Sequence, residues 1–549
     1  MTWSTRGRPE ELAEAEAVRR LWRATRKMSC SSRIAFAEWR GNAATVRVVR
    51  GGKVLGMRRP TRVPSAAPLE PAAIVETHIS TLFFVGDRVF KLHKRVRFGF
   101  LDFRERESRR VDCQREVMLN RRLAPDVYLG VADVVVDGEP LDHMVVMRRL
   151  PEDRRLTAIA SRGEELTGRL LAVAEALASF HRSATRSGEI SNAATALALR
   201  AGWEENFDET DRFVGSVLDE ADEAEIRRRA LRWVDGRAGL LMARIAEGRI
   251  CDGHGDLQAD DIFCLDDGVR ILDCVEFADE LRNVDVCADV AFLAMDLERL
   301  GYPEAAARFL LAYQYLADDR FPEPLLHHYL AARAYVRAKV SCLRADQGAP
   351  EAAAQARELQ RIARDHLRRS QVTLVLIGGL PGSGKSTLAS GLGDARGWTV
   401  FRSDEFRNEI RGPLGERITQ DPAGRYGPDA TDAVYEELLH RAESALGRAE
   451  SVILDASWID GRQRGAARAM ADRTSSELVE LCCEVSEEEA DRRILRRLAE
   501  GTSESEATPH IREGMRRRMD PWESATVIDT SVGEPLEAVA AGLAALASV

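Results

Sequence analysis

The chain has 549 residues, a formal net charge of −10, 45% hydrophobic and 31% charged residues, and no apolar run near the roughly 20 residues that span a bilayer. These values predict a globular protein of about three structural units in a reducing cytoplasm and argue against a membrane-spanning protein. The acidic balance disfavours nucleic acid as the main ligand, and the nine cysteines form no CxxC pair that would indicate zinc.

The first 70 residues are basic, with 15 Lys+Arg against 6 Asp+Glu, whereas the remainder is acidic. Residues 58–71 read RRPTRVPSAAPLEP, a Pro-rich stretch with too few large apolar residues to pack into a core. We therefore predict that residues 1–70 form a flexible N-terminal extension.

Residues 71–370 are predicted to form one domain with a small β lobe and a larger helical lobe. Apolar and polar residues alternate on both sides of Gly86 and Asp87, which predicts a hairpin, and further strands are predicted at residues 127–150. From about Glu164 onward, helical periodicity dominates. It is interrupted once, by a loop-rich segment around HGDLQADDI, which marks a candidate functional site.

The loop-rich segment contains acidic residues at a characteristic spacing. His254 and Asp256 are followed after four residues by Asp261, and Asp273 stands in ILDCVEF twelve residues later. This arrangement resembles the catalytic loop and metal-binding aspartate of the protein kinase-like fold, in its aminoglycoside phosphotransferase-like branch, with Asp261 in place of the usual Asn. The resemblance implies that Asp256 orients and deprotonates an acceptor hydroxyl and that Asp261 and Asp273 hold Mg²⁺.

The same resemblance implies nucleotide-binding roles in the β lobe. Lys91 in RVFK would reach the α and β phosphates of ATP, and Glu116 on a predicted helix would pair with Lys91. Lys94 is the weaker candidate, because side chains alternate along a strand and Lys94 points opposite to Lys91. The backbone near Met147 would meet adenine. The β lobe lacks GxGxxG, so its phosphate-binding loop differs from that of protein kinases.

Acidic residues between positions 203 and 224 bear on the acceptor of this domain. They include the stretches WEENFDETDRF and LDEADEAE, which could hold a cationic acceptor beside Asp256. The plainer interpretation is a solvent-exposed acidic helix face.

Beyond residue 370, strands alternate with helices, which predicts an α/β domain with a parallel sheet at residues 371–549. The first predicted strand leads into GLPGSGKST, which fits GxxxxGK[ST]. Glycines there let backbone N–H groups surround phosphates, Lys385 reaches the β and γ phosphates of ATP, and Ser386 offers a hydroxyl to Mg²⁺. The predicted nucleotide-binding residues are Gly379, Gly382, Ser383, Gly384, Lys385, Ser386 and Thr387.

Later segments add candidate catalytic residues. RSDEFR, VILDAS and ATPHIREGMRRRMDPWE, together with the P-loop, resemble the small P-loop kinase family that includes gluconate kinase-like and polynucleotide kinase-like proteins. The resemblance implies that Asp404 takes the proton of an acceptor hydroxyl, that Arg407 holds the acceptor, and that Asp455 lies near the metal. Asp404 also suits a helix N-cap, a compatible role. The run EADRRILRRLAEG predicts a lid helix, on which Arg493 and Arg497 would neutralise the transferred phosphoryl group.

Over residues 70–549, stretches such as VRFGFLDF and DVAFLAMDLERL make the chain similar to a bacterial fusion family that joins an aminoglycoside phosphotransferase-like domain to a P-loop kinase domain of AAA type. We predict a two-domain α/β and α+β phosphotransferase with two Mg·ATP sites, which phosphorylates hydroxyls of sugars, aminosugars or aminoglycoside-like molecules. One alternative makes a kinase-like domain an ATP sensor, which the Asp at position 261 favours. Another makes the P-loop domain a nucleotide-sugar or nucleic-acid-end kinase, which the acidic charge disfavours.

Overall fold

The structure, a computed structural model, describes residues 44–47, 73–77, 79–98, 101–136, 139–409, 427–500, 508–531 and 535–547. The chain divides into two compact units, Met1–Glu164 with Asp260–Asp279 and Glu165–Ala259 with Glu280–Val549. Within the described ranges, no helix is both long and apolar enough to cross a membrane.

Seventeen strands are described in the chain. In chain order they are β1 (Ala44–Arg47), β2 (Ala73–Glu76), β3 (Ser80–Val85), β4 (Arg88–His93), β5 (Arg97–Phe98), β6 (Leu101–Asp102), β7 (Tyr128–Val136), β8 (Glu139–Arg148), β9 (Ile250–Asp252), β10 (Ile262–Leu265), β11 (Gly268–Ile271), β12 (Asn283–Asp285), β13 (Thr373–Gly378), β14 (Thr399–Arg402), β15 (Val452–Asp455), β16 (Glu477–Glu484) and β17 (Thr526–Asp529).

Eighteen α-helices are described alongside the strands. They are α1 (Arg106–Asn120), α2 (Leu156–Ser161), α3 (Thr167–Ser183), α4 (Gly188–Asn192), α5 (Ala196–Thr210), α6 (Glu220–Asp235), α7 (Ala238–Ala246), α8 (Val286–Arg299), α9 (Pro303–Ala317), α10 (Glu323–Asp346), α11 (Glu351–Arg369), α12 (Lys385–Arg396), α13 (Ser403–Glu409), α14 (Pro428–Gly447), α15 (Gly461–Arg473), α16 (Glu487–Glu500), α17 (Pro509–Arg518) and α18 (Pro535–Ala547).

The first unit is built around a six-stranded sheet in the order β1-β7-β8-β4-β3-β2. The predicted hairpin is β3 and β4, which pair antiparallel and are joined at Gly86, where φ is +57°. Helix α1 covers the sheet through buried Cys113 and Val117, which pack with Val145 of β8. The small hairpin β10–β11 completes this unit and adds Phe263 to the same core.

Most of the predicted N-terminal extension lies outside the described residues. The exception is β1, which pairs parallel to β7 from Ala44 opposite Ala132 to Arg47 opposite Val135. A part of the first 70 residues therefore belongs to the sheet of the first unit.

The second unit begins with a helical bundle. Asp285 caps the N-terminus of α8, its side chain accepting the Cys287 N–H, and the helix residues from Val286 to Leu297 are all buried. Helices α9 and α10 pack against α8, while α11 packs along α10.

The second unit also contains a five-stranded parallel sheet in the order β14-β15-β13-β16-β17. Its central strand β13 is buried from Leu374 to Gly378, as expected for a strand covered on both faces. Leu388 and Leu392 of α12 pack on Val375 and Ile453. Parallel strands with intervening helices confirm the predicted α/β character of this part of the chain.

The bundle and the parallel sheet make a polar junction within the second unit. Arg237, between α6 and α7, is 1% exposed and donates hydrogen bonds to the carbonyls of Thr474 at 2.6 Å and Gly236 at 2.8 Å. Arg232 of α6 donates to the Ser476 carbonyl at 2.8 Å. Residues 474–476 lead directly into β16, the neighbour of β13, so α6 is anchored beside the central strands.

Candidate active sites

The loop between β13 and α12 has a backbone that requires glycine. Gly379 and Gly382 adopt φ angles of +139° and +82°. A Cβ on Gly379 would lie 2.5 Å from Ser383 Oγ, and one on Gly382 would lie 2.7 Å from the Ala490 carbonyl oxygen. Both glycines therefore have positive φ angles and leave no room for a side chain. Positive φ angles of this kind turn the backbone N–H groups of a loop toward a bound phosphate.

The residues after the loop carry the polar groups of the site. Lys385, Ser386 and Thr387 form the first turn of α12, and the Ser386 hydroxyl lies near enough to Asp455, at the end of β15, to favour the ionised form of that carboxylate. Burial raises the pKa of Asp455, and the positive charge of Lys385 opposes that shift. Within the described part of the chain, Asp455 Oδ1 and Ser383 Oγ are buried without hydrogen-bond partners. Such atoms fit a bound phosphate and cation.

The predicted acceptor residues follow the neighbouring strand. Asp404 lies in the first turn of α13, directly after β14, and its charge acts on Asp455. The charges of Asp404 and Arg407 both influence the hydroxyl of buried Tyr435, so the two side chains lie near the same tyrosine. Arg402 at the end of β14 lies 3.8 Å from Asp455 Oδ2 and was not among the predicted residues.

The helix predicted as a lid is α16, and its arginines divide into two groups. Arg492 and Arg496 are about three-quarters exposed and pair with Glu489 and Glu500 of the same helix. Arg493 pairs with Glu489 as well, at 2.7 Å, but its Nη2 also donates to the Thr530 carbonyl at 2.8 Å. The Thr530 hydroxyl donates to the Ser383 carbonyl at 2.6 Å, so Arg493 is connected to the loop. Arg497 is half-buried on the same helix.

The first unit brings together three of the predicted kinase-like residues. Lys91 Nζ lies 2.9 Å from Glu116 Oε1 and 3.1 Å from Asp273 Oδ1. Burial opposes the charge on Lys91, but Asp273 and Glu116 outweigh it and raise the pKa of Lys91 well above its usual value. Lys94 lies elsewhere, donating to the Thr77 carbonyl and pairing with Glu76. The role of Lys91 in binding ATP stays a prediction.

Three further titratable residues surround this cluster and were missed from the sequence. His93 Nε2 lies 3.4 Å from Asp112 Oδ2 and 3.5 Å from Glu116 Oε2. Burial raises the pKa of Asp112 to about 6 and that of Glu276 well above its usual value. Glu116 is also buried, yet Lys91 overcomes its desolvation and lowers the pKa of Glu116 to about 2. Asp112 lies one helical turn before Glu116, so its spacing from Glu116 is a sequence signal that could have identified it.

Asp261 and Asp273 flank the two ends of the β10–β11 hairpin. The Leu272 N–H donates to the Asp261 carbonyl at 3.0 Å, which brings the segments of both aspartates together. Asp273 has a φ of +61°, and its N–H donates to the Tyr128 hydroxyl. The described residues contain no group of three or more His, Cys, Asp or Glu arranged as a metal site.

Met147, predicted near the adenine-binding backbone, lies inside the sheet. It pairs with Val89 of β4 on one side and with Tyr128 of β7 on the other. The next two N–H groups, of Arg148 and Arg149, donate to the Val127 and Asp87 carbonyls. The adenine-binding role of this segment stays a prediction.

The loop that carries Asp256 is fixed from within the bundle of the second unit. Asp289 of α8 is fully buried and accepts the N–H groups of His254 at 2.7 Å and Gly255 at 2.9 Å. His181 Nε2 lies 3.1 Å from the same carboxylate. Despite the burial, His181 and His254 lower the pKa of Asp289. Asp289 therefore holds the loop as a carboxylate, and its contacts were missed because they join residues 34 and 35 positions apart.

Comparisons with known proteins match one part of the chain to a family model and most of the chain to two relatives. The family model of an AAA domain matches residues 374–522. Uncharacterized protein Rv2004c of Mycobacterium tuberculosis and uncharacterized protein Mb2027c of Mycobacterium bovis are each 41% identical over 461 residues, which is 83% of this chain and 92% of theirs.

Two solved structures are also similar, at low identity. A gluconokinase from Sinorhizobium meliloti is 19% identical, with 32% of this chain and 92% of that chain covered and a TM-score of 0.25. A choline kinase from Cryptosporidium parvum is 11% identical, with 55% and 88% covered and a TM-score of 0.35. On the identity and coverage of the mycobacterial relatives, the chain belongs to their family, and within this chain residues 374–522 match the model of an AAA domain.

Proposed function

We propose that the chain is an ATP-dependent phosphotransferase with two nucleotide sites, each acting on a hydroxyl of a small polar molecule. The observation that carries the proposal is the P-loop arrangement, in which Lys385 and the Ser386–Asp455 pair lie at the carboxyl ends of neighbouring parallel strands. This edge of an open parallel sheet is where ligands bind in such folds. Asp404 adds an acid at the end of the adjacent strand β14.

In the P-loop site, each residue has a role that fits its surroundings. The loop N–H groups and Lys385 would hold the phosphates of ATP, and Arg493 would balance their charge beside the loop. Ser386 and Asp455 offer the oxygen ligands that Mg²⁺ prefers. Bound Mg²⁺ would neutralise phosphate charge. Asp404 would accept the proton of the acceptor hydroxyl while Arg407 holds the acceptor.

In the kinase-like domain, the residues divide the same work. Lys91, kept charged by Glu116 and Asp273, would bind the phosphates of ATP. Asp261 and Asp273 offer carboxylate oxygens suited to Mg²⁺. Asp256 would take the proton of the acceptor hydroxyl. The acceptor oxygen then bonds to the terminal phosphorus of ATP as the bond to the departing ADP breaks.

A second candidate function has one observation in its favour. Asp261 stands where the usual Asn would be, and it adds negative charge near Asp273. Extra charge there favours cation binding but disfavours phosphates, so the kinase-like domain could bind ATP as a sensor without turnover.

The experiment is ATP consumption by the full chain across sugars, aminosugars, aminoglycosides and nucleosides, repeated with Asp256→Ala and Lys385→Ala. We expect each variant to lose about 100-fold or more of the rate with the acceptors of its own domain and to keep the rate with the others. Matched controls are Asp267→Ala, on an exposed side chain, and Lys94→Ala, on a partly exposed side chain. Acceptor-stimulated rates that survive both variants together would contradict the proposal.

A further inference from the structure

A polar amide and a cation are among the neighbours of Asp256 in the second unit. Gln258 Nε2 donates to Asp256 Oδ2 at 2.9 Å, and Arg337 Nη1 of α10 lies 4.0 Å from Asp256 Oδ1. The Asp256 side chain is 34% exposed and that of Arg337 is 26% exposed, so a small molecule can reach both. Asp256 is thus approached from α10 by positive charge.

Arg337 has a guanidinium with most of its hydrogen-bonding capacity unused. The long ion pair with Asp256 is its one polar contact among the residues that the structure describes. A guanidinium has five N–H donors in a planar fork that matches a carboxylate or phosphate. Other arginines of the bundle are committed, as Arg244 is to Asp285 and Asp319.

Arg333 adds a second positive charge one turn earlier on α10. Its Nε donates to the Ala288 carbonyl at 3.2 Å, and its guanidinium lies 5.1 Å from the ring centre of Phe292. The negative charges of Asp289 and Asp256 both act on Arg333. Residues four apart lie on one helix face, so Arg333 and Arg337 present a cationic face toward the loop of Asp256.

Three acidic residues between positions 203 and 224 are paired with other residues of the bundle. Glu209 lies 2.8 Å from Lys339, Glu223 accepts the Tyr335 hydroxyl at 2.6 Å, and Asp222 accepts Arg364 at 2.8 Å. These contacts tie α5 and α6 to α10 and α11. Glu223 is 4% exposed, so at this position the acidic segment is not the solvent-exposed face of the plainer interpretation.

We infer that the acceptor phosphorylated at Asp256 carries an anionic group, a carboxylate or a phosphate, which Arg337 binds while its hydroxyl faces Asp256. The inference rests on the proposed function of the kinase-like domain and names its substrate class. An anionic acceptor near the Asp256 carboxylate needs a counter-charge, and Arg337 supplies it within 4.0 Å. Bidentate binding by the guanidinium would also fix which hydroxyl reaches Asp256.

The test uses the full chain with Lys385→Ala, so that the P-loop site does not contribute. Phosphoryl transfer is measured with gluconate, glucuronate and glucose 6-phosphate, and with glucose, glucosamine and kanamycin. We expect the rate that depends on Asp256 to appear with anionic acceptors. In Arg337→Gln their KM should rise about 10- to 100-fold with a smaller change in kcat, because a charge-assisted hydrogen bond is lost.

Two further variants separate a binding role from a structural one. Arg337→Lys keeps the charge and should recover part of the affinity, whereas Arg344→Gln on the last turn of α10 should leave KM unchanged. If glucose, glucosamine or kanamycin is the acceptor and Arg337→Gln leaves its KM unchanged, the inference is wrong and the proposed function stands. If no acceptor of any charge gives a rate that Asp256→Asn removes, the proposed function of this domain fails, and the inference fails with it.

Discussion

The carboxylate of Asp289 accepts the backbone N–H of His254 at a distance of 2.7 Å, inside a fully buried part of the helical bundle. Its other oxygen accepts the N–H of Gly255, so one side chain of α8 fixes the two residues that precede Asp256. A Cβ on Gly253 would lie 2.7 Å from the same carboxylate, so the backbone of Gly253 also packs closely against Asp289. The position of Asp256 therefore depends on α8.

Replacing Asp289 with Asn should harm stability and one activity together. The amide offers one acceptor atom where the carboxylate offers two, and it places an N–H opposite a backbone N–H. We expect a loss of about 2–4 kcal/mol in the free energy of unfolding, measured with urea. Transfer that depends on Asp256 should fall, while transfer that depends on Lys385 should persist. Asp235→Asn, at an exposed ion pair, is the control and should cost under about 1 kcal/mol.

The raised pKa of Asp455 leads us to expect weaker binding of Mg·ATP at the P-loop site in acid. Burial raises the pKa of Asp455, so on acidification this carboxylate takes up a proton at a higher pH than an ordinary aspartate. Only the ionised form suits Mg²⁺, so the affinity for Mg·ATP should fall as pH drops toward that raised pKa. Calorimetric titration from pH 8 to pH 5, in a Lys91→Met background, measures the fall. Asp455→Asn should bind weakly at every pH, and an unchanged pH profile in that variant would refute the assignment.

Arg237 predicts a stabilising junction between bundle and parallel sheet. Burial lowers the pKa of Arg237 to about 10, with a further contribution from Arg232, and Arg237 Nη1 supplies the Thr474 carbonyl with its hydrogen bond. Arg237→Met keeps the stem but leaves the carbonyl buried without that donor, at a cost of about 1–3 kcal/mol. Urea unfolding compares it with Arg228→Met on the exposed face of α6, which should be near neutral. Equal stability of both variants would show that the junction contributes nothing.

Asp112 predicts a stability change whose sign depends on pH. Burial raises the pKa of Asp112 to about 6 in the folded chain from an ordinary value of 3.8, although His93 opposes the shift. Protonation of Asp112 therefore favours the folded state, fully below the ordinary pKa and no longer once pH has risen through about 6.

Asp112→Asn removes the ionised carboxylate and with it this pH dependence. We expect the variant to match or exceed the parent in unfolding free energy at pH 7.5, and to lose that advantage at pH 4. Glu107→Gln, an exposed change on the same helix, is the control. A variant that is less stable at pH 7.5 than at pH 4, relative to the parent, would contradict the assignment.

Sequence motifs predicted the parts of the sites that are built locally. The glycines of the P-loop and the residues Lys385 and Ser386 occupy one short segment, so their arrangement follows from the order of residues. Lys91 of β4 and Glu116 of α1 were predicted from the resemblance to a kinase-like family, because they lie on two separate elements. By contrast, Asp289 and Arg337 contact the Asp256 loop from 33 and 81 positions away, and no local pattern marks them. Arg402 and Thr530 were missed for the same reason, since their contacts depend on strand order.

For the fold, too, local features were predicted from the sequence and long-range pairings were not. Alternation in β3 and β4 and the apolar run of β13 predicted strands, because each pattern is set by the faces that a strand buries. The pairing of β1 with β7 was not predicted, because residues 44–47 lie in a basic, weakly apolar segment and are far from β7 in the chain. Edge pairing of this kind depends on backbone hydrogen bonds, which the side-chain pattern does not record.

The most direct test of the central claim is the number of ATP molecules bound per chain, measured by equilibrium dialysis with Mg²⁺ and a non-hydrolysable ATP analogue. We predict two for the parent, one for Lys91→Met, one for Lys385→Ala and none for the double variant, with Lys94→Met retaining two. One molecule bound by the parent, lost in Lys385→Ala and unaffected by Lys91→Met, would contradict the claim that the chain has two nucleotide sites.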